Sequence, residues 1–389
     1  MFDLKKTDKF SKDLFANSRG ITKLSIINQW GAISSDIIGS KITERLPSDL
    51  IPFAAKKGSL GATMTALSDW GILNLLDKEA AKNAEVSIKY TEMLNIGMKR
   101  ELERLFSEFK NEALEVVLLK GHDMINTYYS DFRVRPTTDA DILIKREDLT
   151  RITEILKARK YKPQTRGASS TWEKGSFLID VHFEITDENR ISARRYLPKI
   201  TADKVFESAR VGHIGESPYL SPDPYHSLII TSMHALKHSY LMDYWFMDAG
   251  KIILSLGDSF STKRLFATAE TGGVKYPVSL MLWTLKEIFS FPIDCPIDIR
   301  PKFTSRKLIL AATRRTDFLH FGEILLGLHI DSYIKRLYYY KEFLYPKNEV
   351  LKSEMGIGPR SDLGRLKLNL LRTFQLFRVF LTIIFRKDV

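Results

Sequence analysis

The sequence predicts an α+β protein in which a small mixed β-sheet core is flanked by N- and C-terminal helical regions. Three observations carry this expectation. Apolar residues recur at three- and four-residue steps before residue 115 and again from about Tyr219 onward, the spacing of amphipathic helices. Between these regions lie short, β-branched apolar runs of strand length. One later segment, "FLIDVHFEI", alternates apolar and polar residues, as a strand with one buried face does. The chain accordingly divides into a helical region at 1–114, an α/β core at 115–190, and a helical region at 191–389 ending in a basic amphipathic tail.

Each element follows from its residues. "KKGSLGAT" (Lys56 to Thr63) marks a break between helices. Asn83 to Leu114 places Val86, Tyr90, Leu94, Met98, Leu102, Leu105 and Phe109 on one stripe and should be a long amphipathic helix. "EVVLLKG" reads as a buried strand running into a turn, and "GHDMINTYY" as the helix after it, with His122 and Asp123 at its cap. "DADILIK" is a second strand. "REDLTRITEILKARK" is a helix whose acidic residues suit its N-terminus. "TWEKGSFLIDVHFEI" reads as a hairpin turning at Lys174-Gly175. Its second strand sets Ile179, Val181, Phe183 and Ile185 against Asp180, His182 and Glu184. Asp223 and Pro224 then open a further helix as cap and first-turn proline.

Composition narrows the class. The 389 residues are 44% hydrophobic and 27% charged, ordinary for a globular chain with room for two or three structural units. The single cysteine, Cys295, excludes an intramolecular disulfide and a four-cysteine zinc site. The opening "MFDLKKTDKFSKDLF" holds no apolar core of signal-peptide length. No segment reaches the roughly 18 to 20 apolar residues of a membrane-spanning helix, so a cytoplasmic chain is expected. A net charge of +12 suits nucleic acid, an acidic membrane surface or a phosphorylated substrate, and equally a lysine-rich surface. The basic residues are scattered, and no RNP motif or zinc finger accompanies them. In the tail, Arg365, Lys367, Arg372, Arg378, Arg386 and Lys387 lie among Phe374, Phe377 and Phe380. Two expectations follow for 365–387: packing as a last helix, or peripheral contact with the inner membrane surface.

The chemistry gathers at "RVRPTTDADILIKRED" (Arg133 to Asp148). Strand periodicity puts Asp139 and Asp141 on one face, and Asp180 lies on the polar side of another strand. If the strands are neighbours, three carboxylates converge. Three anions at that range repel unless a cation neutralises them, and carboxylate oxygens are the ligands that hard divalent ions prefer. Magnesium bridging triphosphate oxygens is the expected occupant. Lys120 and Gly121 end the first strand where a turn feeds a helix start, a place suited to phosphate. Arg133 and Arg135 sit in the loop leading to the acids, Arg135 being favoured as a phosphate clamp.

"LLKG" (Leu118 to Gly121), "RPTTDADILI" (Arg135 to Ile144) and "IDVHFEI" (Ile179 to Ile185) occur in this order. Together they resemble the bacterial nucleotidyltransferase-like family of the DNA polymerase β superfamily, over roughly Tyr90 to Asp248. The resemblance implies a mixed sheet packed by helices, with two divalent metals, Mg²⁺ or Mn²⁺. It implies transfer of a nucleoside monophosphate from an NTP such as ATP, with release of pyrophosphate. Position by position, Asp139, Asp141 and Asp180 would bind the metals, Asp180 also orienting the acceptor hydroxyl, and Lys120, Gly121 and Arg135 would hold the nucleotide phosphates. The superfamily usually carries Gly-Ser where this chain has Lys120-Gly121, which bears on how phosphates are held. The acceptor is open: a small molecule, a protein side chain or an RNA end.

Histidines support a different chemistry. His182 shares a face with Asp180, His234 and His238 are four residues apart on one helix, and Asp248 follows. These are expected beside the site, touching its ligands or the substrate. Alternatively Asp180, His182, His234, His238 and Asp248 form a metallo-phosphohydrolase. A further alternative is a non-catalytic nucleotide-binding or scaffold protein of the same fold.

Overall fold

A computed structural model of the chain describes residues 17–31, 42, 44–164, 171–186, 188, 191–293, 303–316, 321–354, 357 and 364–374. Helices α1 (Ser18–Asn28), α2 (Leu50–Lys56), α3 (Leu60–Asp69) and the long α4 (Lys78–Asn111) precede the sheet. The break expected at Lys56 to Thr63 separates α2 from α3. Asp77 caps α4 by accepting from the amides of Glu79 and Ala80 at 3.0 Å. Met98, Leu102, Leu105 and Phe109 are buried as their spacing predicts, but Val86 and Tyr90 are 62% and 54% exposed. The reason is length: 34 residues at about 1.5 Å each make α4 about 51 Å long, and the side chains it packs into the sheet core run only from Met98 to Phe109.

The strands are β1 (Val116–Leu119), β2 (Ala140–Ile144), β3 (Lys162–Pro163), β4 (Thr171–Lys174), β5 (Phe177–His182), β6 (Arg210–Ile214) and β7 (Ser217–Ser221). They form one mixed sheet in the order β3-β4-β5-β2-β1-β7-β6. β2 runs antiparallel to β1 and parallel to β5, and β1 runs parallel to β7. Helix α5 (Lys120–Tyr128) follows β1 directly, and α6 (Leu149–Ala158) follows β2. The hairpin of β4 and β5 turns where predicted. Its second strand is shorter than expected, its pairing with β2 ending at His182 opposite Leu143.

The sheet also runs past the expected core boundary at residue 190, because β6 and β7 join it after α7 (Ala202–Ser208). Sequence periodicity missed β7 because its buried positions are Ser217, Tyr219 and Ser221 rather than aliphatic residues.

Strand alternation sorts the side chains onto two faces. Val116, Leu118, Ala140, Ile142, Ile144, Ile179 and Val181 pack with Leu102, Phe106 and Phe109 of α4 and with Ile152 and Leu156 of α6. Val117, Leu119 and Leu143 point the other way, into a larger core built with the helices after the sheet. These include α8 (Pro224–Lys237), α9 (Tyr244–Leu256), α10 (Thr262–Thr271) and α11 (Lys275–Glu287). Asp223 caps α8 as expected, accepting from the Tyr225 amide at 2.9 Å.

Residues 365–374 are helical and pack at the C-terminal end of the helix Tyr333–Leu344. Leu368 is fully buried, and Arg372 donates to the Leu344 carbonyl at 3.2 Å. Leu366, Leu370 and Phe374 face outward. The rest of the tail, with Phe377, Phe380, Arg378, Arg386 and Lys387, lies outside the described residues. Among the described residues no helix is long and apolar enough to cross a membrane.

Candidate active site

Register brings the acids together. In the parallel β2–β5 pair, Asp141 stands opposite Asp180, and His182 opposite Leu143. With Ala140, Ile142, Ile179 and Val181 committed to the face under α4 and α6, Asp141, Asp180 and His182 share the face turned towards α8 and α9. His182 Nε2 lies 2.7 Å from Asp141 Oδ1 and 3.5 Å from Asp180 Oδ2. One donor atom of each of the three residues falls within 4.8 Å of the others. Asp139 precedes the strand and stands outside this triangle, its Oδ1 accepting from Thr138 Oγ1 at 3.1 Å.

Lys120 closes the group from the neighbouring strand end. Its Nζ is 2.8 Å from Asp141 Oδ1, the same oxygen that faces His182. To turn from β1 into α5 the backbone takes φ +48° at Lys120, a left-handed conformation that costs an L-residue about 1 kcal/mol. Gly121 follows because the loop before β2 passes over it: a Cβ there would lie 3.3 Å from Thr137 Cγ2.

That loop is held from α4. Asn95 Nδ2 donates to the carbonyls of Phe132 and Arg135 at 2.8 and 2.9 Å, which fixes the amide so that its Oδ1 accepts from Thr137 Oγ1 at 2.7 Å. Thr137 has one hydroxyl proton, so His122 Nε2, 2.9 Å away, must donate to it. Burial, with Arg135 nearby, lowers His122 to about 3, so its ring is neutral. The cap expected from His122 and Asp123 is absent: α5 has no side-chain cap. Asp123 is instead fully buried, accepting from Tyr219 at 3.0 Å, and burial pushes its carboxyl up to about 7.

Charges at the centre are mutually dependent. Burial works against the Asp141 anion, but Lys120 and His182 outweigh it and hold the carboxyl well below its usual range. Burial likewise opposes the Lys120 ammonium, and Asp141, with Asp139 and Asp180, overcomes it, so Lys120 stays protonated. His182 is also raised, burial being outweighed by its bond to Asp141. Asp139 is pushed up to about 6 by burial and by the Asp141 charge. One ammonium thus balances one carboxylate while further negative charge stands beside them, an arrangement that attracts a cation.

The centre forms one wall of a cavity of about 570 Å³, within the range of small-ligand pockets. Arg135 reaches this cavity, but its Nε and Nη2 are bound to Asp248 at 3.0 and 2.8 Å and its guanidinium lies 4.6 Å from the Tyr244 ring. Arg133 is exposed and pairs with Asp131 at 2.8 Å. Asp248 also accepts from Tyr129 at 2.8 Å, so it fastens the loop and α5 to α9. His234 and His238 stand 4.6 Å apart and both contact the Trp245 ring. Burial, with Lys120 and His238 near it, keeps His234 far below its ordinary value and neutral. All three line the cavity, and none joins the Asp141–Asp180–His182 group, so the five-residue phosphohydrolase set is not assembled.

Sequence reasoning missed Arg194, Lys237, Tyr244 and Trp245, which also line the cavity. Nothing local marks them, because they arrive from elements that the fold alone brings over the sheet. The pairing of Lys120 with Asp141 had a signal, a lysine at the end of the strand beside the acids.

No curated protein and no solved structure matches this chain. A family model described as an uncharacterised nucleotidyltransferase matches residues 43–290, more than half of its length, and spans the sheet, the acids and α8 to α11. The chain belongs to this nucleotidyltransferase family.

Proposed function

We propose that the protein transfers a nucleoside monophosphate from an NTP to an acceptor hydroxyl with a divalent metal ion, on a core related to DNA polymerase β. The observation that carries this is the register of β2 against β5, which puts Asp141, Asp180 and His182 within 4.8 Å beside Lys120 and Asp139 on a cavity wall. Carboxylate oxygens and one imidazole nitrogen are donors that divalent ions accept, so the residues fit such a group. Asp141 and Asp180 would hold it, with Asp139 and His182 beside them. When bound, such an ion supplies Lewis-acid stabilisation to the phosphoryl oxygens.

The remaining work belongs to the chain. Lys120 sets a positive charge next to the carboxylates, where the triphosphate must approach. Asp180 orients the acceptor hydroxyl and takes its proton. The hydroxyl oxygen attacks the α-phosphorus, a new O–P bond forms, the bond to the α–β bridging oxygen breaks, and pyrophosphate leaves. Tyr244 and Trp245 in the cavity lining exclude water that would otherwise compete.

NTPs labelled at the α-phosphorus, incubated with the protein, Mg²⁺ or Mn²⁺ and a cell extract, test this reading. Label should appear on a small molecule, protein or RNA and fall at least about 100-fold in Asp141→Asn, since several kcal/mol of charge stabilisation are lost. The close Lys120–Asp141 pair favours a second reading, in which an internal ammonium replaces the cation and the fold binds nucleotide without turnover. Saturable NTP binding with no label transfer and no pyrophosphate release would select it.

A further inference from the structure

We propose that this centre is built for a nitrogen-accepting first-row transition ion rather than for Mg²⁺, with His182 Nε2 as a direct ligand beside Asp141 and Asp180. The inference rests on the metal-dependent reading above and adds the identity of the metal class and the role of His182.

Period-two geometry puts His182 on the face of Asp180, and the β2–β5 register sets Asp141 opposite Asp180. The ring nitrogen is turned to both carboxylates at once, 2.7 Å from one and 3.5 Å from the other. A histidine that only braced Asp141 would need one of those contacts. Sharing Nε2 between acids from two strands is the disposition of a third donor around a common point. Its ring is buried, and Asp141 is buried with it, so neither is a mobile surface group that happens to lie near. Asp139, one of the three acids expected to bind metal, stands apart from this triangle.

Donor chemistry then separates the metals. Mg²⁺ favours an octahedron of oxygens and gives up its waters reluctantly, whereas imidazole suits Fe, Ni, Cu and Zn, with Mn²⁺ lowest in the first-row order. A set of two carboxylates and one imidazole gives away part of the affinity available to Mg²⁺ and gains it for Mn²⁺ and the ions after it. His234 and His238 make no contribution, being drawn to Trp245 instead.

Mn²⁺ alone is the probe. It is titrated into metal-free wild type, Asp141→Asn, His182→Gln and His234→Gln, with electron paramagnetic resonance reporting free and bound ion and spin-echo modulation reporting a directly bound nitrogen. Wild type should bind Mn²⁺ with nitrogen coupling, and at least tenfold excess Mg²⁺ should be needed to displace half of it. His182→Gln should lose the coupling and weaken Mn²⁺ by about 10- to 100-fold, a loss at least as large as outer partners of metal ligands give. His234→Gln should change neither. Bound Mn²⁺ without nitrogen coupling in wild type overturns the inference and leaves the metal-dependent transferase standing; that measurement does not depend on any variant folding. Failure of wild type to bind Mn²⁺, or binding untouched by Asp141→Asn, removes the metal site and both readings with it.

Discussion

Asp123 is a buried carboxyl with no place in the chemistry. Tyr219 and Thr127 donate to its Oδ1 at 3.0 and 3.3 Å, while burial raises it from an ordinary 3.8 to about 7. A carboxyl raised on folding stabilises the native state below its unfolded value, and this contribution is lost as pH rises through the folded one. The window therefore runs from about pH 4 to about pH 7, with a slope of at most about 1.4 kcal/mol per unit. Urea unfolding of wild type and Asp123→Asn at pH 5 and pH 7 should show the variant gaining relative to wild type at the higher pH. A constant difference would show that Asp123 folds in its charged form. At this scale the shared face of Asp141 and Asp180 was legible from strand periodicity, whereas Asp139 precedes its strand and was not placed by it. The part of His182 was not legible, since only the register shows which carboxylates its nitrogen meets.

Among elements, α3 and α4 position a loop that they do not contain. Asn95 on α4 binds the loop at Phe132, Arg135 and Thr137, and Gly61 of α3 packs so closely that a Cβ would stand 2.0 Å from the Arg133 carbonyl oxygen. Asp139 follows two residues after Thr137, so the placement of the first acid depends on helices from the N-terminal region. Asn95→Ala should lower unfolding free energy by about 1–3 kcal/mol, the cost of leaving buried carbonyls unpaired. It should slow nucleotidyl transfer at least about tenfold, as displaced catalytic groups do. Chemical denaturation and initial rates would check both, and a stability loss with unchanged rates would separate the loop from the reaction. The helix bearing Asn95 was readable from its periodicity, yet its polar residue sits buried among apolar ones. A lone asparagine in a helical stripe carries no sequence signal until the loop it binds is seen.

In the whole molecule, the site lies between two bodies of chain that meet through long-range polar contacts. Arg135 from the sheet side grips Asp248 from the helical side, 113 residues later. Fully buried Lys57 of the N-terminal region donates to the carbonyls of Leu241 and Ala312 at 2.6 and 3.2 Å. Such pairs join segments distant in sequence, and they show why part of the cavity lining was invisible there: spacing rules speak only for neighbours along one element. The helical flanks themselves were legible from periodicity, whereas the two strands at Arg210–Ile214 and Ser217–Ser221 were not.

The left-handed turn at Lys120 bears on how the protein matures. By delivering an ammonium to Asp141 it gives the buried acid a counter-ion that is synthesised with the chain. Folding therefore need not wait for an ion, unlike in small domains whose native state forms only with metal. Wild type stripped by a chelator should keep a single cooperative thermal transition. Lys120→Met should melt lower without metal and recover when Mn²⁺ is added, because an outside charge then replaces the missing one. If chelation alone unfolds wild type, the lysine does not play this part. If it does not, then on the metal-dependent reading proposed above the protein can be made and stored before a metal arrives, and metal supply would set how much of it is active rather than how much exists.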